Sequence, residues 1–381
     1  MNLTCFYPAV KLGLLRPGRT SRLLLLAPLL ALGTSAHLAA TPPQQVVPRY
    51  TLTNPGSTFN INPLLNGEGP LLNIQGAIVG IIQPPGATLS HAALFHRGHI
   101  LDIGAVIAPT GFSLPFAINA AGEVVGYCYD EHTPANVISE AFVYQGSRAL
   151  RFTVPESHQT EATSLNNLGQ VVGDFTTPDD PDSRRAFLRQ PNGKLTVLGT
   201  FGALQAVPMA INDRGQIAGW TNEIDRIRAF LLQPGSRTPQ DLGSLGPDTF
   251  ARATSINNLG QVVGHSGLTN SDPFPSHAFL YSEGRMRDLG TMGGITSTAL
   301  GINNLGQIVG WSTLASSESV EHAFVIIGGQ MRDLNKLLSP TVTGWVILIA
   351  TDINDRGEIV ALASHNSNPD NFATVILKPT L

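Results

Sequence analysis

The chain reads as an all-β protein, a seven-bladed β-propeller of four-stranded blades closed by an N-terminal strand that completes the last blade. Three observations predict this. A ten-residue unit returns seven times at near-constant spacing, the composition is that of short strands and turns, and a strand missing at one end is matched by a spare strand at the other.

The unit is clearest at Ser255-Ile256-Asn257-Asn258-Leu259-Gly260-Gln261-Val262-Val263-Gly264. Its first glycine recurs at Gly76, Gly122, Gly169, Gly215, Gly260, Gly306 and Gly357, with spacings of 46, 47, 46, 45, 46 and 51 residues. Within each period the Ala-x-x-Ile-Asn segment predicts strand a, and Gln-Val-Val-Gly predicts strand b. Ala-Phe-Leu (Ala141-Phe142-Val143, Ala278-Phe279-Leu280) predicts strand c, and Asp-Leu-Gly (Asp241-Leu242-Gly243, Asp288-Leu289-Gly290) predicts strand d. Thirty-nine glycines and only 13% charged residues suit such a fold.

Between strands a and b, Asn-x-x-Gly has the chemistry of a tight turn. Asparagine suits the first position of a type I turn, and glycine suits the residue with positive φ that follows it. The pairs Asn119/Gly122, Asn166/Gly169, Asn212/Gly215, Asn257/Gly260, Asn303/Gly306 and Asn354/Gly357 are therefore structural turn residues. The seventh repeat supplies strands a, b and c, ending with Ala373–Leu377, and then lacks a strand d. Arg49–Thr53, upstream of the first repeat, is the spare strand expected to fill that place and cover a raw sheet edge.

The N-terminal region predicts export. Lys11, Arg16, Arg19 and Arg22 precede an apolar run from Leu23 to Leu32 and then small residues, with Thr34 and Ala36 placed for cleavage. The run is shorter than the roughly 20 residues a spanning helix needs, and no later segment is long enough for a membrane span. Residues 1–36 read as a signal peptide, 37–48 as an extended leader and 49–381 as a single domain; the destination is the periplasm or the extracellular space. The signal carries four basic and no acidic residues, so the mature chain is four charges more negative than the formal −4 of the whole. That argues against nucleic acid as a partner. Cys128 is then the one remaining cysteine, a buried small hydrophobe in this reading, and stability comes from packing alone.

At the Asp-Leu-Gly, Ile-Asn-x-x-Gly-Gln-Val-Val-Gly and His-Ala-Phe elements the chain resembles the HAF-repeat family, exported bacterial repeat proteins named for the His-Ala-Phe triplet. The stretch from His277 to Gly310 is the nearest match, and the resemblance covers about residues 50–377. It implies export and repeat architecture and brings no catalytic residues. His91, His277 and His322 hold the family's histidine position, where Glu140, Arg185 and Arg228 stand in other repeats; this variation points to a solvent-facing or inter-blade hydrogen-bonding place.

Strand direction divides the ring into two faces. The a–b and c–d turns fall on one, here the turn face; the b–c and d–a connections fall on the other, the loop face. The connections on the loop face are long and unlike one another, which is where binding residues concentrate. Candidate ligand residues there are Asp130 and His132 in the second repeat, Asp179, Asp180 and Asp182 in the third, and Trp220 and Trp311 at the ends of strand b. The carboxylates suit a hard cation such as calcium, although Asp179-Asp180-Pro181-Asp182 lacks the spacing and glycine of a dedicated calcium loop, and no cofactor is expected. The tryptophans suit stacking on a sugar or peptide, or closing a blade core. No Gly-x-Ser-x-Gly elbow, His-Glu-x-x-His or cysteine pair for zinc is present. The sequence thus predicts a monomeric binding or structural module with a protein or glycan partner. The alternative is a hydrolase or lyase acting on polysaccharide or peptide near the central channel.

Overall fold

The computed structural model describes residues 47–61, 71–133, 137–270, 275–315 and 317–380. The expected signal peptide and most of the leader lie outside these residues. Gln45–Leu381 forms one compact unit, and no helix among the described residues is long and apolar enough to cross a membrane.

Repeats 2 to 7 fold up and down as expected. Repeat 3, for example, runs through Gln159–Leu165, Val171–Thr177, Asp180–Arg189 and Leu195–Gly199 in sheet order a-b-c-d. The expectation of seven separate four-stranded blades is corrected by the hydrogen bonding. It gathers the strands into five four-stranded sheets and one eight-stranded sheet. The larger sheet joins repeats 5 and 6. Strand a of repeat 6 (Gly293–Ile302) starts early and meets strand c of repeat 5 (Ser276–Ser282) in a parallel pairing at Ser276 and Thr296. The molecule is an all-β propeller whose sheets are not all independent.

Closure follows the spare-strand logic. Arg49–Thr53 lies antiparallel to the last strand, with Arg49 opposite Thr380 and Thr53 opposite Ile376. Tyr50 points into the packing and is fully buried; its hydroxyl has no partner, and burial pushes its pKa up to about 12. The backbone of Tyr50 also accepts the Ser339 N–H at 2.7 Å, and Arg49 Nη1 donates to the Lys336 carbonyl at 2.7 Å. The first repeat departs from the expected pattern. Its innermost strand is Phe59–Asn60, paired with Ile82 and Ile81, while Leu72 only bridges Ile78.

The sheets pack against each other on both faces, so strand c buries adjacent residues instead of alternating. Ala278 and Phe279, and Ala323 and Phe324, are all fully buried. The phenylalanines fill the spaces between sheets, with edge-on contacts such as Phe152–Phe187 at 6.0 Å and Phe201–Phe230 at 5.4 Å.

The two glycines of the unit serve different ends. Gly260 has φ +79, the left-handed turn position. Gly264 lies beside a bulge in strand a, where a Cβ would stand 1.9 Å from the Arg252 carbonyl oxygen. Gly126, Gly173, Gly219 and Gly310 show the same close approach to strand a.

Candidate functional site

The turn face is closed by its own hydrogen bonds. Asn257 illustrates the unit: its Oδ1 accepts the N–H groups of Leu259 and Gln261, both at 3.0 Å, which builds the turn. Its Nδ2 donates to Gln261 Oε1 at 2.8 Å and to the Asn303 carbonyl of the next repeat at 3.0 Å. The same inter-repeat bond runs from Asn73 to Asn119, Asn119 to Asn166, Asn166 to Asn212 and Asn212 to Asn257. Asn303 then donates to Asn354, and Asn354 to Asn73, which returns the circuit to its start. Seven asparagines thus form a closed ring. Beside it an open arc links the next residues: Asn167 N–H donates to Asp213, Asp213 to Asn258, Asn258 to Asn304 and Asn304 to Asp355, each at 2.8 Å. The basin inside the ring has a volume of about 370 Å³, and its rim spends its polar groups internally.

The loop face is different. Its connections are less irregular than expected, because several are extended hairpins. In repeat 3 strands b and c continue until Thr177 faces Asp180, so Asp180 and Asp182 stand in a strand and not in a loop. Asp179 and Asp182 are exposed, and Asp180 pairs with Arg185 Nη2 at 3.0 Å. Among the described residues no three His, Cys, Asp or Glu side chains gather in a way that could hold a metal ion.

In repeat 2 the two neighbouring candidates separate. The Asp130 side chain is buried and meets Arg151 Nη1 at 2.8 Å, while His132 is 73% exposed. Burial opposes ionisation of Asp130, but the hydrogen bond and charge of Arg151 prevail and hold its carboxyl below the usual range. Asp130 therefore anchors the loop, and Arg151 also binds Glu140 and Thr133.

Trp220 and Trp311 occupy one register place in strand b. So do Tyr127, Asp174, His265 and Leu362, each opposite a residue of strand a. Trp220 is half-buried beneath the Arg252 guanidinium of the next repeat, 4.9 Å from its ring centre. It is a packing residue. At the same place Asp174 is buried with Arg184 and Glu161, and burial pushes its carboxyl up to about 6 against the pull of Arg184. His265 is pushed down to about 4 by burial and by neighbouring Arg252.

The histidine of the His-Ala-Phe element has a partner within its own repeat. His91, His277 and His322 meet Asp102, Asp288 and Asp333 of strand d at 3.0, 2.9 and 3.1 Å. Where repeat 2 carries Glu140, strand d carries Arg151, with the charges exchanged; repeat 4 pairs Arg228 with Asp241 at 2.6 Å. These pairs tie strand c to strand d. The expectation of a solvent-facing or inter-blade position is thereby refined to a link inside one sheet. Its signal was the eleven-residue spacing from His to Asp and the Glu–Arg exchange at that spacing.

Among the described residues three open grooves cross the loop face, one of them beside Asp180, Asp182 and Arg185 of repeat 3 and Gln205. A second lies between repeats 3 and 4, beside Leu204, Ile224, Arg226 and Arg228. A third crosses repeat 7, beside Trp345, His365 and Phe372. Trp345 went unnoticed in the sequence because it precedes the seventh unit and belongs to no repeated element.

No family model matches the chain, and no curated protein matches it. Solved structures with likeness include TolB from Acinetobacter baumannii, at 11% identity and TM-score 0.39 over 80% of this chain and 79% of that one. An acylaminoacyl peptidase from Pyrococcus horikoshii aligns at 10% identity and TM-score 0.47, over 80% of this chain and 50% of the peptidase. A gluconolactonase from Xanthomonas campestris aligns at 12% identity and TM-score 0.38, over 87% and 95%. At these scores the likenesses assign no activity.

Proposed function

We propose that this protein is an exported binding module of the HAF-repeat type whose ligand face is the loop face of the propeller. The observation that carries this reading is the contrast in unspent surface. Beyond the exposed turn leucines Leu168, Leu259 and Leu305 and one groove beside Leu150 and Pro191, the turn face engages its polar groups in the asparagine ring and the arc beside it. The loop face exposes Val106, Ile138, Leu204, Ile224, Val320 and Phe372, with Ile224 at 86% and Leu204 at 52%. Apolar side chains beside open grooves are the usual mark of a contact surface. The order of basic, apolar and small residues from Lys11 to Ala36 supports export.

The test is an array of peptides and glycans probed with the purified protein. Signal should fall for Ile224→Asp or Phe372→Asp and persist for Leu259→Asp or Leu305→Asp. Loss of signal confined to the Leu259 and Leu305 variants would move the ligand to the turn face and refute the assignment.

A further inference from the structure

The groove across repeat 7 differs from the rest of the loop face in chemistry. Strand a begins there with Trp345, strand b ends with His365, and strand c carries Phe372, which is 53% exposed. The Trp345 and His365 rings meet edge to face, 4.8 Å apart. His365 is held in place. Its Nδ1 lies 2.6 Å from Ser367 Oγ, and its ring covers Gly344, where a Cβ would stand 2.6 Å from Nε2. On the other side runs the link from Thr53 to Phe59, which brings Asn54 and Ser57, with Asn60 just beyond it. Asn54 Oδ1 accepts the Gly56 N–H at 2.7 Å, which fixes the amide and leaves its NH₂ for other partners.

Three properties of this groove select a ligand class. Among the described residues none that lines it carries a fixed charge, so none of them would repay the desolvation of an ionic ligand. Its aromatic rings offer flat apolar surface, while asparagine and serine each donate and accept hydrogen bonds. A ligand that matches both needs an apolar face edged by neutral hydroxyls. Arg49–Thr53 takes the edge of the last strand, and its own outer side is met at Tyr50 by Leu338 and the Ser339 N–H, which interrupts the row an extended peptide would join. The volume of about 300 Å³ lies at the lower end of small-ligand clefts.

We propose that the Trp345–His365–Phe372 groove is a subsite for a neutral saccharide, with the C–H face of a pyranose against the aromatic rings and its hydroxyls bonded to Asn54, Ser57 and Asn60. The proposal rests on the loop face being the ligand face and names its ligand.

The experiment titrates the purified protein with neutral oligosaccharides of glucose, mannose, galactose and N-acetylglucosamine at millimolar concentration, by calorimetry and tryptophan fluorescence. At least one should bind. Phe372→Ala and Trp345→Ala should each weaken that binding about tenfold, the loss of a stacking contact, whereas Trp220→Phe should not. Phe372 is exposed enough that its variant tests the site even if Trp345→Ala fails to fold. The proposal is overturned if no sugar binds, if binding survives Phe372→Ala and Ser57→Ala together, or if an anionic polysaccharide binds in preference. Peptide capture that depends on Ile224, without sugar binding, would overturn the saccharide and leave the wider reading standing; absence of both would overturn the two together.

Discussion

The two faces of the ring are made from the same seven repeats and have opposite economies of hydrogen bonding. On the turn face each asparagine satisfies its own turn and then reaches into the next repeat, so a local device doubles as a joint. On the loop face the corresponding connections differ from repeat to repeat. They end in hairpins, ion pairs or exposed apolar residues, and the bonds that recur, such as the pair of His277 and Asp288, do so in only some of the repeats. One face holds the ring together and thereby leaves the other free to vary.

The largest effect that would break this contrast lies at the seam. Tyr50→Ala should cost about 3–5 kcal/mol, as for other large buried side chains, whereas Tyr50→Phe should change stability by less than about 1 kcal/mol because the hydroxyl has no partner. Urea unfolding of the two variants separates them, and equal losses would mean that the hydroxyl matters after all.

A middle-sized effect belongs to the asparagine ring. Asn257→Ala removes acceptor and donor at once and leaves buried backbone groups unpaired, at about 2–4 kcal/mol. Asn257→Asp should retain the turn, since its oxygen still accepts the Leu259 and Gln261 N–H groups, and lose the inter-repeat bond. A urea midpoint for Asn257→Asp equal to wild type would show that the bond to Asn303 contributes nothing.

A third effect is in pH. Asp352 sits at the junction of repeats 7 and 1, accepting the Leu72 N–H at 2.9 Å and the Ile353 N–H at 2.8 Å, and burial pushes its pKa up to about 7. A raised carboxyl pKa contributes stability that is complete below its ordinary value of 3.8 and is lost as pH rises through 7. His265 acts in the opposite sense. Depressed to about 4, it contributes stability above its ordinary 6.5 that is lost as pH falls through 4. Asp352→Asn should therefore make the protein lose stability more steeply on acidification from pH 7 to 4 than wild type does. An unchanged slope of the urea midpoint against pH would contradict the Asp352 assignment.

Much of the fold was legible because repetition exposes strand order. The Asn-x-x-Gly turn, the missing strand d and the spare Arg49–Thr53 are local patterns that pairing then joins. The fusion of repeats 5 and 6 was not legible, since it depends on one parallel pairing at Thr296 that no spacing announces. Nor was the ring of asparagines, because a side chain bonding a carbonyl some 46 residues away looks the same in sequence as one that only turns the chain. The groove in repeat 7 was hidden for a different reason. Trp345 and Phe372 share one repeat, but Asn54 comes from the other end of the domain and joins them only through the closing strand.

That closing strand also sets an order of events. Arg49 and Thr380 are 331 positions apart, yet they belong to one sheet. Contacts of such separation carry the loop-closure entropy of almost the whole domain and form late. Until the final strand has been delivered, the last sheet stays open at its edge, and the Tyr50 side chain has nowhere to go. A protein built this way is slow to commit to its finished form, because the contact that completes the last sheet is also the one most distant along the chain.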